Sequence, residues 1–129
     1  MSQVRVAFAI SNQIEINETP LERLSYEGAD LIVEFDKQDN ERVRLTFSPW
    51  QALRVTTIDC YDVRSLLIEG RLHRRVLEFM DSEWISALKG ELHYHDYLAT
   101  FLNDAHHFVL LFQDNVVEIV AQRFECSSP

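Results

Sequence analysis

The chain has 129 residues, of which 47% are hydrophobic, and its 21 acidic and 12 basic residues give a formal net charge of −9. This length is typical of one domain, here residues 1–129, which buries about two thirds of the surface that its unfolded form exposes. The negative charge opposes binding to nucleic acid and to anionic membrane surfaces. The one basic cluster, from Arg64 to Arg75, contains Glu69 and no aromatic residue for base stacking. We therefore expect neither a nucleic acid nor a membrane partner.

The beginning of the chain and the cysteines indicate a cellular location. Residues 1–10 alternate around Arg5, which predicts a strand rather than a signal peptide, and no apolar run has the length of a membrane span. Cys60 and Cys126 are too few and too far apart for a disulfide framework or a CxxC metal site. We expect a cytoplasmic protein with reduced thiols.

Between residues 20 and 36 the pattern changes from a helical turn to a strand. Pro20, followed by Leu21 and Leu24, predicts a brief helical turn. From Asp30 onward, apolar and acidic residues alternate, so that one side of a strand is apolar and the other is charged.

A hairpin is predicted at residues 38–40, because this Gln-Asp-Asn tip lies between two alternating apolar runs. A three-residue loop pairs Phe35 with Val43 and Val33 with Leu45, and its last residue, an asparagine, tolerates the left-handed conformation that such loops need. The same register sets opposite charges across the strands. The predicted charge pairs are Lys37 with Glu41, Asp36 with Arg42, and Glu34 with Arg44.

The middle of the chain is predicted to form a strand, a helix and a second strand. Pro49 interrupts the preceding strand, and residues 50–59, rich in β-branched side chains, form a third one. Asp62 is the expected N-cap of a helix that ends near Gly70. Residues 76–80 are expected to form a short strand.

Another short helix is predicted after Ser82. The apolar residues within 84–88 share one helix face, which should dock on the sheet, and Gly90 is expected to stop the helix. The apolar residues within 92–103 have helical spacing, but two histidines and an aspartate lie at the start of this segment. The evidence for and against a helix is therefore balanced, and the conformation of these residues stays open.

A second Gln-Asp-Asn predicts the final hairpin, with a two-residue turn at Asp114 and Asn115 and a frayed tail after Phe124. The facing apolar residues are expected to be Phe108, Leu110 and Phe112 on one strand and Val117, Ile119 and Ala121 on the other. These elements predict an α+β fold, with a mostly antiparallel sheet and short helices packed on one face.

The histidines form the one cluster that could ligate a metal. An H-x-H pattern on a strand puts two imidazoles on one face, as expected for His93 and His95 beside Asp96. The spacing supplies no third ligand, because His106 and His107 would point to opposite faces of their strand. We expect neither a metal nor another cofactor.

Nucleophilic and phosphate chemistry have little support. Neither Cys60 nor any serine lies in a glycine-bounded turn that would present a nucleophile, and three glycines provide no phosphate-binding loop. Asp59 and Asp62 could act as an acid–base pair, but a strand end and a helix cap explain them more simply. No catalytic residue is assigned.

An acidic surface with exposed tyrosines is the better candidate site. Residues 81–125 contain eight acidic side chains against Lys89 and Arg123, and a basic partner is their natural complement. Tyrosine is common at binding hot spots beside a charged rim. The predicted partner-binding residues are Glu91, Tyr94, Asp96, Tyr97 and Asp104.

The second half of the chain resembles a group of small bacterial proteins of unknown function, many of them suspected immunity partners of secreted toxins. In that group a Ser-x-aromatic-Ile helix start precedes a His-aromatic strand and a strand with an acidic residue before aliphatic ones. The matching residues are Ser82, Trp84, Ile85, His107, Phe108 and Glu118. The match covers about a third of the chain, and the group supplies no catalytic residues.

Two functions therefore stay open. The first is a non-enzymatic, acidic binding or inhibitory protein of the immunity type, which covers a basic surface on a partner such as a nuclease toxin. The second is a small-ligand-binding module or enzyme that uses His93, His95 and Asp96. A deep pocket at these three residues would favour the second function, and a flat acidic surface the first.

Overall fold

The computed structural model describes residues 6–10 and 13–129 and has one seven-stranded antiparallel sheet as its main element. The strands are β1 (Val6–Ala9), β2 (Arg23–Glu27), β3 (Asp30–Asp36), β4 (Arg42–Thr57), β5 (Leu67–Ile68), β6 (Arg71–Leu72), β7 (Val76–Met80), β8 (His106–Leu111) and β9 (Asn115–Ser127), and the helix is α1 (Glu83–His95). The sheet order is β1-β7-β8-β9-β4-β3-β2, while β5 and β6 form a separate hairpin. The mostly antiparallel sheet is confirmed. A cover of several short helices is not, because the described residues contain one α-helix.

The register of the β3–β4 hairpin is confirmed. Phe35 lies opposite Val43, Val33 lies opposite Leu45, and Asn40 has a φ of 68°. All four apolar residues are buried in the core. The charge pairs on the other face are Arg42 with Asp36 at 3.1 Å, Arg44 with Glu34 at 3.1 Å, and Lys37 with Glu41 at 3.9 Å.

Pro49 does not end its strand, so the predicted separate strand at residues 50–59 was wrong. β4 runs through it, with a register shift between Trp50 and Ala52. The pairing with β9 passes from Ser48 to Trp50 without using Pro49, so the missing N–H of proline removes no ladder bond.

The final hairpin forms with a different turn from the predicted one. Phe112 donates its N–H to the carbonyl of Asn115, which puts Gln113 and Asp114 in the turn and shifts every pair by two residues. A shift of two keeps the same side chains on the same face. The predicted fraying was also wrong, because β9 continues to Ser127 and pairs there with the first half of β4.

Two predicted helical segments have other structures. Residues after Pro20 form the edge strand β2. Asp62 does cap a helix, accepting the N–H of Arg64, but only a 3-10 turn over Val63–Leu66, and Gly70 then lies in the β5–β6 turn with a φ of 77°.

α1 begins where predicted but runs past Gly90 to His95. Ser82 is its N-cap and accepts the N–H of Ile85 at 3.2 Å. A glycine inside a helix costs only about 1 kcal/mol relative to alanine, which the rest of the helix can tolerate. The conformation of residues 92–103, which the sequence left open, is the end of α1, then a turn, then a 3-10 turn over Phe101–Asp104.

The sheet curls around its larger core. Ile16 bridges to Lys37 beside β3, and the adjacent Glu15 bridges to Arg75 beside β7. Three strands separate β3 from β7, so a flat sheet would hold them about 19 Å apart, whereas one bridging segment spans about 10 Å. Ile16 is fully buried in the core that this curvature encloses.

A smaller core lies on the opposite face and includes Leu66, Phe79 and Val109. Trp84 of α1 packs against His107 on that face. In the described part of the chain, no helix is both long and apolar enough to cross a membrane. Cys60 and Cys126 are both free and exposed.

Candidate functional site

The end of α1 and the turn after it project several large side chains into solvent. We call this region the α1-end surface, defined by the acidic residues Glu91, Asp96 and Asp104 and the apolar or aromatic residues Tyr94, Tyr97, Leu98 and Phe101. The exposed fractions are 86% for Tyr94, 78% for Tyr97, 73% for Leu98 and 43% for Phe101. All five residues predicted from the sequence to bind a partner belong to this surface and are exposed.

The turn after α1 is held in place by hydrogen bonds. Asp96 donates its N–H to the carbonyl of Leu92 at 2.7 Å and accepts the N–H of Ala99 at its own carbonyl. Its carboxylate accepts the N–H of Leu98 at 3.3 Å. A ring nitrogen of His93 lies 3.1 Å from the Ala99 carbonyl oxygen. Tyr97 and Leu98 are therefore displayed on an ordered turn.

The neighbouring 3-10 turn is anchored to the sheet. It contacts α1, and the Gln122 side chain of β9 donates to the carbonyl of Phe101 at 3.3 Å. Leu102 is buried, while Phe101 and Asp104 on the same turn are exposed. The same turn thus has one residue in the core and two on the surface.

His93 and His95 do not share one face, because they lie on a helix and not on a strand. Residues two apart on a helix are about 200° apart around its axis. His93 faces the Ala99 carbonyl, whereas His95 lies 3.8 Å from Glu91. The structure thus does not join them with Asp96 in one site. Within residues 6–10 and 13–129, no group of three or more His, Cys, Asp or Glu residues could hold a metal ion.

A depression of about 530 Å³ lies on one side of the α1 end and is lined by Ala87, Gly90, Glu91, Tyr94 and His95. All five of these residues belong to α1. Two residues of the α1-end surface, Glu91 and Tyr94, therefore line the same depression.

A second constellation is buried beneath the start of α1, and no role was predicted for it from the sequence. Ser82 Oγ lies 2.6 Å from His107 Nδ1, and His107 Nε2 lies 2.9 Å from Glu118 Oε1. The other oxygen of Glu118 accepts from Arg54 Nε at 2.7 Å. Both His107 and Glu118 are fully buried, and Ser82 is 7% exposed. We call Ser82, His107, Glu118 and Arg54 the polar chain.

The β-ladder explains how these residues meet. Glu118 lies directly opposite Arg54 of β4 on one side and Val109 of β8 on the other. His107 is two residues from Val109 on β8, so its side chain is on the same face, diagonal to Glu118. Ser82 is the residue directly before α1, and its hydroxyl contacts the imidazole of His107 from there.

Glu118 stays ionised in this setting. Burial alone would raise its pKa, but the hydrogen bonds from His107 and Arg54 and the positive charge of Arg54 lower the pKa to about 2. In return, the hydrogen bond to Glu118 raises the pKa of Arg54. The guanidinium also lies 4.3 Å from the Trp84 ring centroid, a cation–π contact that links β4 to α1.

The ionised carboxylate fixes the protons of the polar chain. Since it can only accept, His107 Nε2 carries a proton and donates to Glu118. In the neutral imidazole, Nδ1 is then an acceptor, and the Ser82 hydroxyl donates to it while accepting the N–H of Ile85.

A cavity of about 340 Å³ borders the polar chain. Its walls include Ser82 and His107, together with Met80, Ile85, Ser86 and Lys89. Ser82, Ile85 and His107 line this cavity, and Trp84 and Glu118 contact His107, so five of the six residues named above for the resemblance lie at this place.

Comparisons with protein-family models, with curated proteins and with solved structures found no match to this chain.

Proposed function

We propose that the protein is an acidic binding protein of the immunity type, which inhibits a basic partner protein by covering part of its surface. The α1-end surface is the contact region. The observation that carries this proposal is the exposure of four large apolar or aromatic side chains on a short, hydrogen-bonded segment that also contains three exposed acidic residues.

Exposed apolar side chains that are adjacent, and not scattered, are typical of protein–protein contacts. Tyr94, Tyr97 and Leu98 lie within five consecutive positions and are each more than 70% exposed. Tyrosine contributes a large contact area with few rotatable bonds, so little entropy is lost when a partner covers it.

The charge of the segment selects the partner. Residues 91–104 contain three acidic side chains and no lysine or arginine. Long-range attraction to a basic protein would accelerate association, and the tyrosines would then contribute most to the lifetime of the complex. A nuclease toxin, whose substrate-binding surface must be basic to bind phosphate, has the required chemistry.

The fixed conformation of the turn after α1 increases the affinity for a partner. The bonds from Asp96 to Leu92, Leu98 and Ala99 fix the turn before any partner arrives. A surface that is already ordered loses less conformational entropy on binding than a flexible one.

A charge-reversal experiment tests the proposal. The protein is immobilised, partners are captured from the native host, and association rates are measured for each captured protein. In the test variant Glu91, Asp96 and Asp104 are replaced by Lys. In the control variant three exposed acidic residues elsewhere, Glu18, Glu27 and Glu69, are replaced in the same way, so that both variants change the net charge equally.

We expect the captured partner to be basic and to associate at least about 10-fold more slowly with the test variant than with the control variant at low salt. If the partner is a toxin, co-expression of the control variant should protect cells and co-expression of the test variant should not. Equal association rates for the two variants, or capture of no basic protein, would contradict the proposal.

A further inference from the structure

We propose that Ser82 is a nucleophile that is acylated by short-chain carboxylic esters bound in the cavity next to it, with His107 as its general base. This inference is independent of the binding function, since it concerns a different face of α1. It rests on the polar chain and on the cavity that borders it.

The order of groups in the polar chain is the order that activates a serine. A hydroxyl donates to an imidazole nitrogen at 2.6 Å, and the opposite nitrogen of the same ring donates to a carboxylate at 2.9 Å. Such an arrangement lets the imidazole accept the hydroxyl proton as the oxygen attacks, while the carboxylate fixes the ring tautomer and stabilises the imidazolium. The hydrogen bonds from His107 and Arg54 keep Glu118 ionised, so this carboxylate is available as an acceptor.

The capping role of Ser82 leaves its proton available. The N-cap uses a lone pair of the hydroxyl oxygen, to which the N–H of Ile85 is bonded at 3.2 Å. The hydroxyl proton is directed elsewhere, to His107. His107 therefore bonds the capping hydroxyl on one side and Oε1 of Glu118 on the other, while Arg54 bonds the second oxygen of Glu118.

The cavity has the size for a small ester. Its volume of about 340 Å³ is at the lower end of the range of ligand pockets. Met80 and Ile85 provide apolar lining for a short acyl chain, and Ser86 and Lys89 provide polar lining. A long acyl chain would not fit within this volume.

The beginning of α1 provides donors for the developing oxyanion. Glu83 and Trp84 follow Ser82 directly and are the first two helical residues, whose N–H groups have no acceptor within the helix. Backbone N–H groups next to the nucleophile are the usual donors to a tetrahedral intermediate, and the helix dipole adds to their effect.

The reaction has two steps. Ser82 Oγ bonds to the ester carbonyl carbon as its proton passes to His107 Nδ1, the bond to the alkoxy oxygen breaks, and the alcohol leaves with that proton. Water then attacks acyl-Ser82, transfers a proton to Nδ1, and the carboxylic acid leaves as Ser82 regains its proton.

The test uses 4-nitrophenyl acetate with the full chain. We expect a burst of nitrophenolate and one acetyl group on the intact protein, located at Ser82 by peptide mass spectrometry. Ser82→Asn keeps an N-cap but removes the nucleophile, and His107→Gln removes the base; each should reduce the burst rate by roughly 100-fold or more. Ser25→Ala, at an exposed serine of β2 outside this cavity, should leave the burst unchanged.

Glu118 is a positioning residue, and Glu118→Gln should change the pH dependence of the burst rate as well as its size. Circular dichroism and melting curves confirm that each variant is folded. An acetyl group found on Ser86 or Lys89 and not on Ser82, or a burst that folded Ser82→Asn retains, would overturn the proposal. So would a wild-type protein that forms no acetyl adduct.

Discussion

Glu118 and Arg54 lie directly opposite each other in β9 and β4, and their side chains meet at 2.7 Å with the carboxylate fully buried. Such a pair contributes little as an isolated charge pair, because desolvation offsets the attraction. Here the carboxylate has further donors in His107 and Tyr61. Through His107, the Glu118–Arg54 pair is therefore connected to Ser82 at the start of α1.

The first prediction concerns pH. The pKa of Glu118 is about 2 in the folded protein, whereas an unperturbed glutamate has a pKa of 4.5. Because the folded pKa is the lower one, the stabilisation is fully present above about pH 4.5 and is lost as the pH falls from there towards 2. The difference corresponds to roughly 3 kcal/mol in the free energy of unfolding.

Urea unfolding between pH 5 and pH 2.5 measures this effect for the wild type and for Glu118→Gln. The variant should be less stable at pH 5 and should show a weaker dependence of stability on pH over this interval. Parallel curves for the two proteins would show that Glu118 is not the group responsible.

The second prediction concerns the first hairpin. Leu45 is fully buried, so Leu45→Ala should lower the free energy of unfolding by roughly 2–5 kcal/mol through lost burial and a residual cavity. Glu34 forms a partly exposed ion pair with Arg44, and Glu34→Ala should cost less than about 1 kcal/mol. Denaturant unfolding curves measure the loss of stability in each variant. Equal losses would contradict the assignment of Leu45 to the buried face of the hairpin and of Glu34 to its exposed face.

The third prediction concerns Gly90, which was predicted from the sequence to end α1. It lies inside the helix, and a Cβ atom added to it would meet no atom within 4 Å. Gly90→Ala should therefore raise stability by roughly 0.5–1 kcal/mol. Gly70→Ala is the matched control: its φ of 77° disfavours any side chain, so this substitution should lower stability. Destabilisation by both substitutions would contradict the helical role of Gly90.

The fourth prediction concerns the histidines of α1. Since His93 and His95 have separate partners, and the described residues supply no third ligand, untagged protein should contain well below one zinc or nickel ion per chain. Elemental analysis measures the content. Near-stoichiometric metal that disappears when both histidines are replaced by Ala would show that the two side chains do form a site.

The two hairpins show what the sequence can specify. The β3–β4 register was predictable because acidic residues on one strand match basic residues on the other, as with Glu34 and Arg44. The β8–β9 strands are apolar on both faces and lack such pairs. A shift of two residues leaves every face unchanged, so nothing in the local pattern separated the predicted turn from the observed one.

The sequence after Pro20 predicts a brief helical turn instead of a strand because it, too, lacks a distinguishing local pattern. β2 is an edge strand, with one neighbour and mostly exposed side chains, so its sequence lacks the alternation of a half-buried strand. Pairing with β3 determines its structure, and this information is not local.

The exposure of the α1-end surface could be predicted because its residues lie close together in the sequence, within residues 91–104. The polar chain could not be predicted, since it joins Ser82 to residues on three different strands. A signal did exist. His107 and Glu118 are polar residues inside apolar strands, and a buried charge requires a partner. The sequence indicates that such partners exist but does not identify them.

The last prediction separates the roles of tyrosines and acids at the α1-end surface. Screening acts over about 10 Å in 0.1 M salt, so raising the salt concentration should slow association of the proposed basic partner and have little effect on dissociation. Tyr94→Ala and Tyr97→Ala should instead accelerate dissociation by roughly 10-fold or more, because a truncated hot-spot aromatic costs at least about 1–2 kcal/mol. Tyr26→Ala, at a tyrosine of β2 that is 69% exposed, is the matched control and should leave both rates unchanged. Surface plasmon resonance at several salt concentrations resolves the two rates. If Tyr26→Ala accelerated dissociation as much as Tyr94→Ala and Tyr97→Ala do, the contact region would not be the α1-end surface.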